Sequence, residues 1–164
     1  MHWANAPLTV FHGTDLAAAR SICEGMARGR PHGRSDFGEG FYVTTNFHQA
    51  CQWANRRVRR GGSSVAAVVE FTLCRDSLES RRHLSFITDG ADFYDFVEYC
   101  RTGGLNHGPA RDRPYEIIYG PVSLWPQKML LGNGDQIMIY DVESLGGGFR
   151  YVRAITPDPP GRKF

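Results

Sequence analysis

The period of the apolar positions changes several times along this chain, and each change marks an element. Leu8 to Gly13 reads as a short strand. From Leu16 the spacing becomes helical, with Leu16, Ala19, Ile22 and Met26 on one face behind a cap at Thr14 or Asp15, and with Gly25 or Gly29 as the stop. Arg28 to Gly38, rich in Gly and Arg around Pro31, predicts a loop. Phe41 to Thr45 is β-branched and aromatic, as a strand requires. Thr45 or Asn46 then caps a second helix that carries Phe47, Ala50, Cys51, Ala54 and Val58 on one face and ends at Gly61-Gly62. The run SVAAVVEFTL, Ser64 to Leu73, has the length of a strand, and Asp92 to Cys100 returns to helical spacing through Phe93, Phe96, Val97 and Cys100. Three strands follow, at Tyr115 to Val122, Gln136 to Val142 and Phe149 to Ile155. Three strand–helix alternations and then a run of strands predict an α+β domain with a mixed or split sheet and flanking helices.

Composition bounds the size and class of this domain. The 164 residues, 41% hydrophobic and 22% charged, fit a single domain spanning 1–164 with its core over about 8–155. The ending PDPPGRKF, 156–164, cannot continue a sheet and predicts a loose tail. Nineteen Lys and Arg against 17 Asp and Glu leave a charge of +2, too balanced to announce a nucleic-acid binder. Cys23, Cys51, Cys74 and Cys100 lie far apart in apolar segments without a C-x-x-C pair, which predicts reduced core residues and no metal site. With no signal-peptide pattern and no long apolar run, the expectation is a soluble cytoplasmic protein without membrane contact; an effector exported by an unconventional route would look the same. Small size predicts a monomer.

Two stretches carry more chemistry than a scaffold needs: HGT at His12 to Thr14, and DFGEGFYVTT at Asp36 to Thr45. A third, QIMIYD at Gln136 to Asp141, follows late in the chain, and YEIIYGP lies between at Tyr115 to Pro121. Placed together, these segments resemble the ADP-ribosyltransferase superfamily, in the branch of diphtheria toxin and the poly(ADP-ribose) polymerases, whose signature is His, Tyr and Glu on three strands. The chain is also similar to small bacterial and fungal domains of that superfamily with HG(T/S), DFGxGFY, YxIIxGP and a late QI strand. The resemblance covers about His12 to Val142 and implies the ADP-ribosyltransferase fold and NAD as a substrate, with no metal.

By that resemblance His12 hydrogen-bonds a ribose hydroxyl of NAD, and Gly13 brings its backbone to the nicotinamide carboxamide. Tyr42 and Trp53, eleven residues apart, flank the nicotinamide ring, a slot suited to a flat cationic aromatic. Thr14, Gly40, Phe41 and Thr44 complete the cofactor-binding set. Arg30 or Arg34 of the Arg-rich loop suits the pyrophosphate, because planar guanidinium groups bind phosphate in bidentate fashion. The implied catalytic set is His12, Tyr42 and Gln136. His2, His32, His48, His83 and His107 have no comparable company and receive no role.

Gln136 departs from the pattern, since the family carries glutamate there. A carboxamide still makes hydrogen bonds to a ribose but supplies no charge to the oxocarbenium-like transition state of glycosidic cleavage and cannot act as a base. The loss of such a contact typically costs about 2.7–4 kcal/mol of barrier. The similar small domains carry Gln as well, so the expectation is a variant site, with mono-ADP-ribosylation or NAD hydrolysis in place of chain elongation. Asp135, which strand alternation points away from Gln136, and Asp36 and Glu39 are rival carboxylates.

Gly134 stands where arginine-specific relatives carry Gln or Glu, which disfavours arginine as the acceptor. Ser123 to Asp135, with Trp125, Lys128, Met129 and Leu130, occupies the place of the family's target-recognition loop; its aromatic either contacts an acceptor or packs on the sheet. The basic runs RGRPHGR, Arg28 to Arg34, and RRVRR, Arg56 to Arg60, fit a solvated surface and a helix C-terminus, or a path for nucleic acid, although no interleaved stacking aromatics accompany them. The expected function is therefore an NAD-dependent mono-ADP-ribosyltransferase, of toxin or effector type, acting on an unidentified protein, RNA or DNA acceptor. An NAD glycohydrolase and a non-catalytic NAD- or ADP-ribose-binding module are the alternatives, and an RNA-repair 2′-phosphotransferase fits less well.

Overall fold

A computed structural model describes residues 6–25, 34–61, 65–105, 107–108, 113–158 and 161–164. Its elements are β1 (Leu8–Asp15), α1 (Leu16–Cys23), β2 (Phe41–Val43), α2 (Phe47–Arg59), β3 (Ala66–Leu73), β4 (His83–Ser85), α3 (Ala91–Arg101), β5 (Ile117–Ser123), β6 (Leu130–Ile139) and β7 (Phe149–Ile155), with short 3-10 turns at Arg75–Leu78 and Glu143–Gly148. The protein is α+β, with two sheets. It divides into two compact units, one of Met1–Arg28, Val43–Ser77 and Leu145–Phe164, the other of Gly29–Tyr42 and Leu78–Ser144.

The first unit is built on the antiparallel sheet β1-β3-β7. Its centre is β3, whose nearly unbroken apolar run is what a strand covered on both faces requires. Asp15 caps α1 by accepting from the Ala18 amide at 3.0 Å, and Asn46 caps α2 by accepting from the Gln49 amide at 3.1 Å. Helix α2 lies on β1 so closely that a Cβ on Gly13 would stand 2.0 Å from the Ala50 carbonyl oxygen. Ala50, Cys51 and Ala54 of α2 pack with Ala66 and Val68 of β3, and small residues on both sides make that approach possible.

In the second unit the sheet order is β2-β6-β5-β4, with β5 antiparallel to β6 and parallel to β4. Phe37, Phe86, Phe93, Val97, Ile118 and Met138 form its buried cluster, in which the Phe37 ring centroid lies 6.0 Å from Phe86 and 6.4 Å from Phe93. The face predicted for α3 is the one that is covered: Phe93, Val97 and Cys100 are buried and Phe96 packs against the cluster.

Three expectations differ from what is observed, and one strand was not expected. β6 starts at Leu130, so Leu130 to Asp135 is strand and Gln136 lies inside β6; Ser123 pairs with Leu130 and Pro121 with Asp135, and the register shift between them passes over the Gly-Asn-Gly stretch, Gly132 to Gly134. β4 has three residues, too few to leave a period in the sequence. The tail is docked in its described part: the Arg162 carbonyl accepts from the Ala66 amide at 2.9 Å, Asn55 of α2 holds both backbone groups of Phe164, and the Phe164 ring meets Phe47 edge-on. Cys23 is exposed where a core residue was expected, because α1 turns its last residue outward, whereas Cys51 and Cys100 are buried and all four thiols are free. Among the described residues no helix is long and apolar enough to cross a membrane.

Candidate functional site

In the first unit, His12, Gly13 and Thr14 follow one another on β1, paired to Val69, Val68 and Ala67 of β3. Thr44 is brought beside them: it is fully buried, and its backbone exchanges hydrogen bonds with Phe11 at 2.8 and 2.9 Å. Its hydroxyl accepts from the Asn46 amide at 3.0 Å, at the start of α2. Trp53 is half-buried on α2, between the buried Ala50 and Ala54 and the exposed Arg56. Gly13 therefore has a packing reason for lacking a side chain, the approach of α2, that is independent of any ligand. Arg56, Arg59 and Arg60 are exposed near the C-terminus of α2, where cations suit the helix dipole, and Arg57 pairs with the capping Asp15 at 3.1 Å.

In the second unit, the DFGEGFY segment is tied down at almost every residue. Phe37 fills the core. Gly38 adopts φ 78°, a conformation that favours glycine, and its carbonyl accepts from the Tyr42 hydroxyl at 2.7 Å while that oxygen accepts from the Phe37 amide at 3.1 Å. A Cβ on Gly40 would come within 2.3 Å of the Met138 sulfur on β6. Phe41 is buried. Burial pushes the Tyr42 phenol well above its ordinary range, so it stays protonated and able to donate. The hydroxyl of Tyr42 closes its own loop, a role that the sequence reading, which placed the ring beside nicotinamide, did not assign.

Asp36 is the centre of this unit's polar network. Its carboxylate, 2% exposed, accepts from Arg101 Nε and Nη2 on one oxygen at 2.9 and 2.6 Å, and from the Ser123 amide and Gln136 Nε2 on the other, both at 2.8 Å. Gln136 Nε2 also donates to the Pro121 carbonyl at 2.9 Å. The β5–β6 register shifts between Pro121 and Ser123, and side chains satisfy the backbone groups that stand beside this irregularity. Arg101 further donates to the Arg34 carbonyl and lies over the Trp125 ring at 5.9 Å.

This arrangement corrects one expectation, since Asp36 is no rival catalytic carboxylate: both of its oxygens are filled by four donors, and none remains to take a proton from a substrate. Trp125 is 41% exposed and Met129 is exposed as well. Arg34 is exposed with its backbone at φ 131°, and Arg30 lies outside the described residues. The sequence missed Arg101 altogether, although an arginine at the end of an otherwise apolar helical face was a signal available there. Among the described residues no cluster of His, Cys, Asp and Glu could hold a metal ion.

No curated protein matches the chain. A family model does match, over residues 8–123, from the start of β1 to the end of β5 and so across both HGT and DFGEGFY. On that match the chain belongs to the family described as protein of unknown function (DUF3990).

Proposed function

We propose that this protein is an NAD-dependent mono-ADP-ribosyltransferase with the ADP-ribosyltransferase fold. The observation that supports the reading most is the hydrogen bond of 2.8 Å between Gln136, in the strand that resembles the family's catalytic one, and Asp36, in the motif that resembles its Gly-x-Gly-aromatic-Tyr strand. Two segments one hundred positions apart by residue number, each singled out by the resemblance, thus share one buried hydrogen bond.

In this reading the bond from the ribose anomeric carbon to the nicotinamide nitrogen breaks, nicotinamide leaves with the bonding electrons, and the acceptor's nucleophile bonds to the same carbon and releases its proton. His12 and the backbone of Gly13 fix ribose and carboxamide, Tyr42 and Trp53 flank the ring, Gln136 orients the ribose, and Arg34 or Arg30 meets the pyrophosphate. One observation favours a second reading, a module that binds NAD or ADP-ribosyl groups without turnover: Asp36 is fully engaged and Gln136 is uncharged, so this network supplies no free carboxylate.

Release of nicotinamide from NAD by the purified protein, with and without a cell lysate, decides between them. The transferase releases nicotinamide and labels a macromolecule in the lysate, and His12→Ala and Gln136→Ala lower its rate by about 10²-fold or more while circular dichroism stays unchanged. Release with free ADP-ribose and no label identifies a hydrolase. Saturable NAD binding without release establishes the binding module, and neither binding nor release overturns the NAD reading.

A further inference from the structure

A carboxamide has two N–H donors and one carbonyl oxygen. Both donors of Gln136 are committed inside the protein, one to Asp36 Oδ2 at 2.8 Å and one to the Pro121 carbonyl at 2.9 Å. The same contacts fix which end of the amide faces inward, because the reversed orientation would set its oxygen against two other oxygens. Asp36 is itself immobilised by the Arg101 guanidinium and the Ser123 amide.

We propose that Asp36 is the positioning residue of this site: it holds the Gln136 carboxamide so that its carbonyl oxygen is the one group it can offer a ligand, and the site selects a hydrogen-bond donor such as a sugar hydroxyl. The sugar rests on the reading of the function given above; the locked amide does not. It follows that glutamine is the residue this environment demands. The glutamate of the ADP-ribosyltransferases, placed here alone, would bring a carboxyl group against the Asp36 carboxylate and the Pro121 carbonyl, so that it fits only by holding a proton and giving up the charge it would bring to catalysis.

The test uses the full chain, labelled with nitrogen-15. The side-chain amide signals of Gln136, assigned by their loss in Gln136→Met, exchange with solvent at least about tenfold more slowly than those of the exposed Gln127, as expected for a buried residue whose two donors are both hydrogen-bonded. Asp36→Asn keeps one acceptor oxygen and must turn its NH2 either to Arg101 or to Ser123 and Gln136, which loosens the network and speeds that exchange while the β5 backbone amides stay protected. Gln136→Glu lowers Tm by about 6 °C or more and does not raise nicotinamide release. Exchange of Gln136 at the rate of Gln127 overturns the proposal, and so does a Gln136→Glu variant of unchanged Tm with release increased about tenfold. A wild-type protein that neither binds nor cleaves NAD removes the transferase reading alone, since exchange and Tm still decide whether the amide is locked.

Discussion

Single residues here carry structural duties that coincide with the positions chemistry would use. Tyr42 is the clearest case, because its hydroxyl serves the Phe37 amide and the Gly38 carbonyl. Tyr42→Phe keeps the ring and removes both bonds, so it should cost about 1–3 kcal/mol in urea unfolding, and if the ring is what meets nicotinamide, NAD affinity should change little. The sequence identified Tyr42, Gln136 and the two glycines around Glu39 as special residues. It did not show why, because hydrogen-bond partners as far apart as Asp36 and Gln136 leave no periodic trace. Asp36 read as a rival base for the same reason: a carboxylate's freedom depends on which donors the fold brings to it.

At the scale of elements, helix faces and caps were legible because their causes are local. The covered face of α3 follows the apolar spacing, that of α2 does so at Ala50, Cys51 and Ala54 while Phe47 is exposed and Gln49 is buried, and Asn46 caps α2 as its side chain allows. The contact between α2 and β1 was not legible. Gly13 read as an opening for a ligand, and it is also the point where two backbones meet. Gly13→Ala must push α2 away from β1, since its Cβ would lie 2.0 Å from the Ala50 oxygen, and a loss of about 1–3 kcal/mol with a lower Tm is expected even without ligand. An unchanged Tm would mean that α2 sits farther from β1. The docked tail belongs to this scale too: Pro and Gly forbid a strand, but they do not prevent Phe164 from packing on Phe47.

For the molecule as a whole, stability should depend on pH through His107 and Glu116, neither of which was given a role in the chemistry. His107 accepts from the Tyr115 amide at 3.3 Å and stacks on that residue's ring, and burial holds its pKa below the ordinary 6.5. The folded unit therefore prefers the neutral ring: this stability is complete above pH 6.5 and falls as the pH drops below it, where the unfolded chain binds the extra proton. Glu116 acts in the same direction at lower pH: burial raises its pKa, but the Arg82 amide and the Arg81 and Arg82 guanidinium groups outweigh that and hold it below the ordinary 4.5. Urea unfolding across this range should show His107→Asn losing the first decline and keeping the second; an identical profile for wild type and variant would remove His107 from the account.

By itself the sequence determined the α+β class, most elements and the residues that look chemical, because propensity, spacing and capping act within a few positions along the chain. Tertiary structure alone decided that the strands divide between two sheets, that β6 begins before Gln136, and that Asp36, Arg101, Ser123 and Gln136 form one network. Those outcomes depend on which distant groups can satisfy a buried charge or a backbone group beside a shifted register, and that requirement is met only in the folded chain.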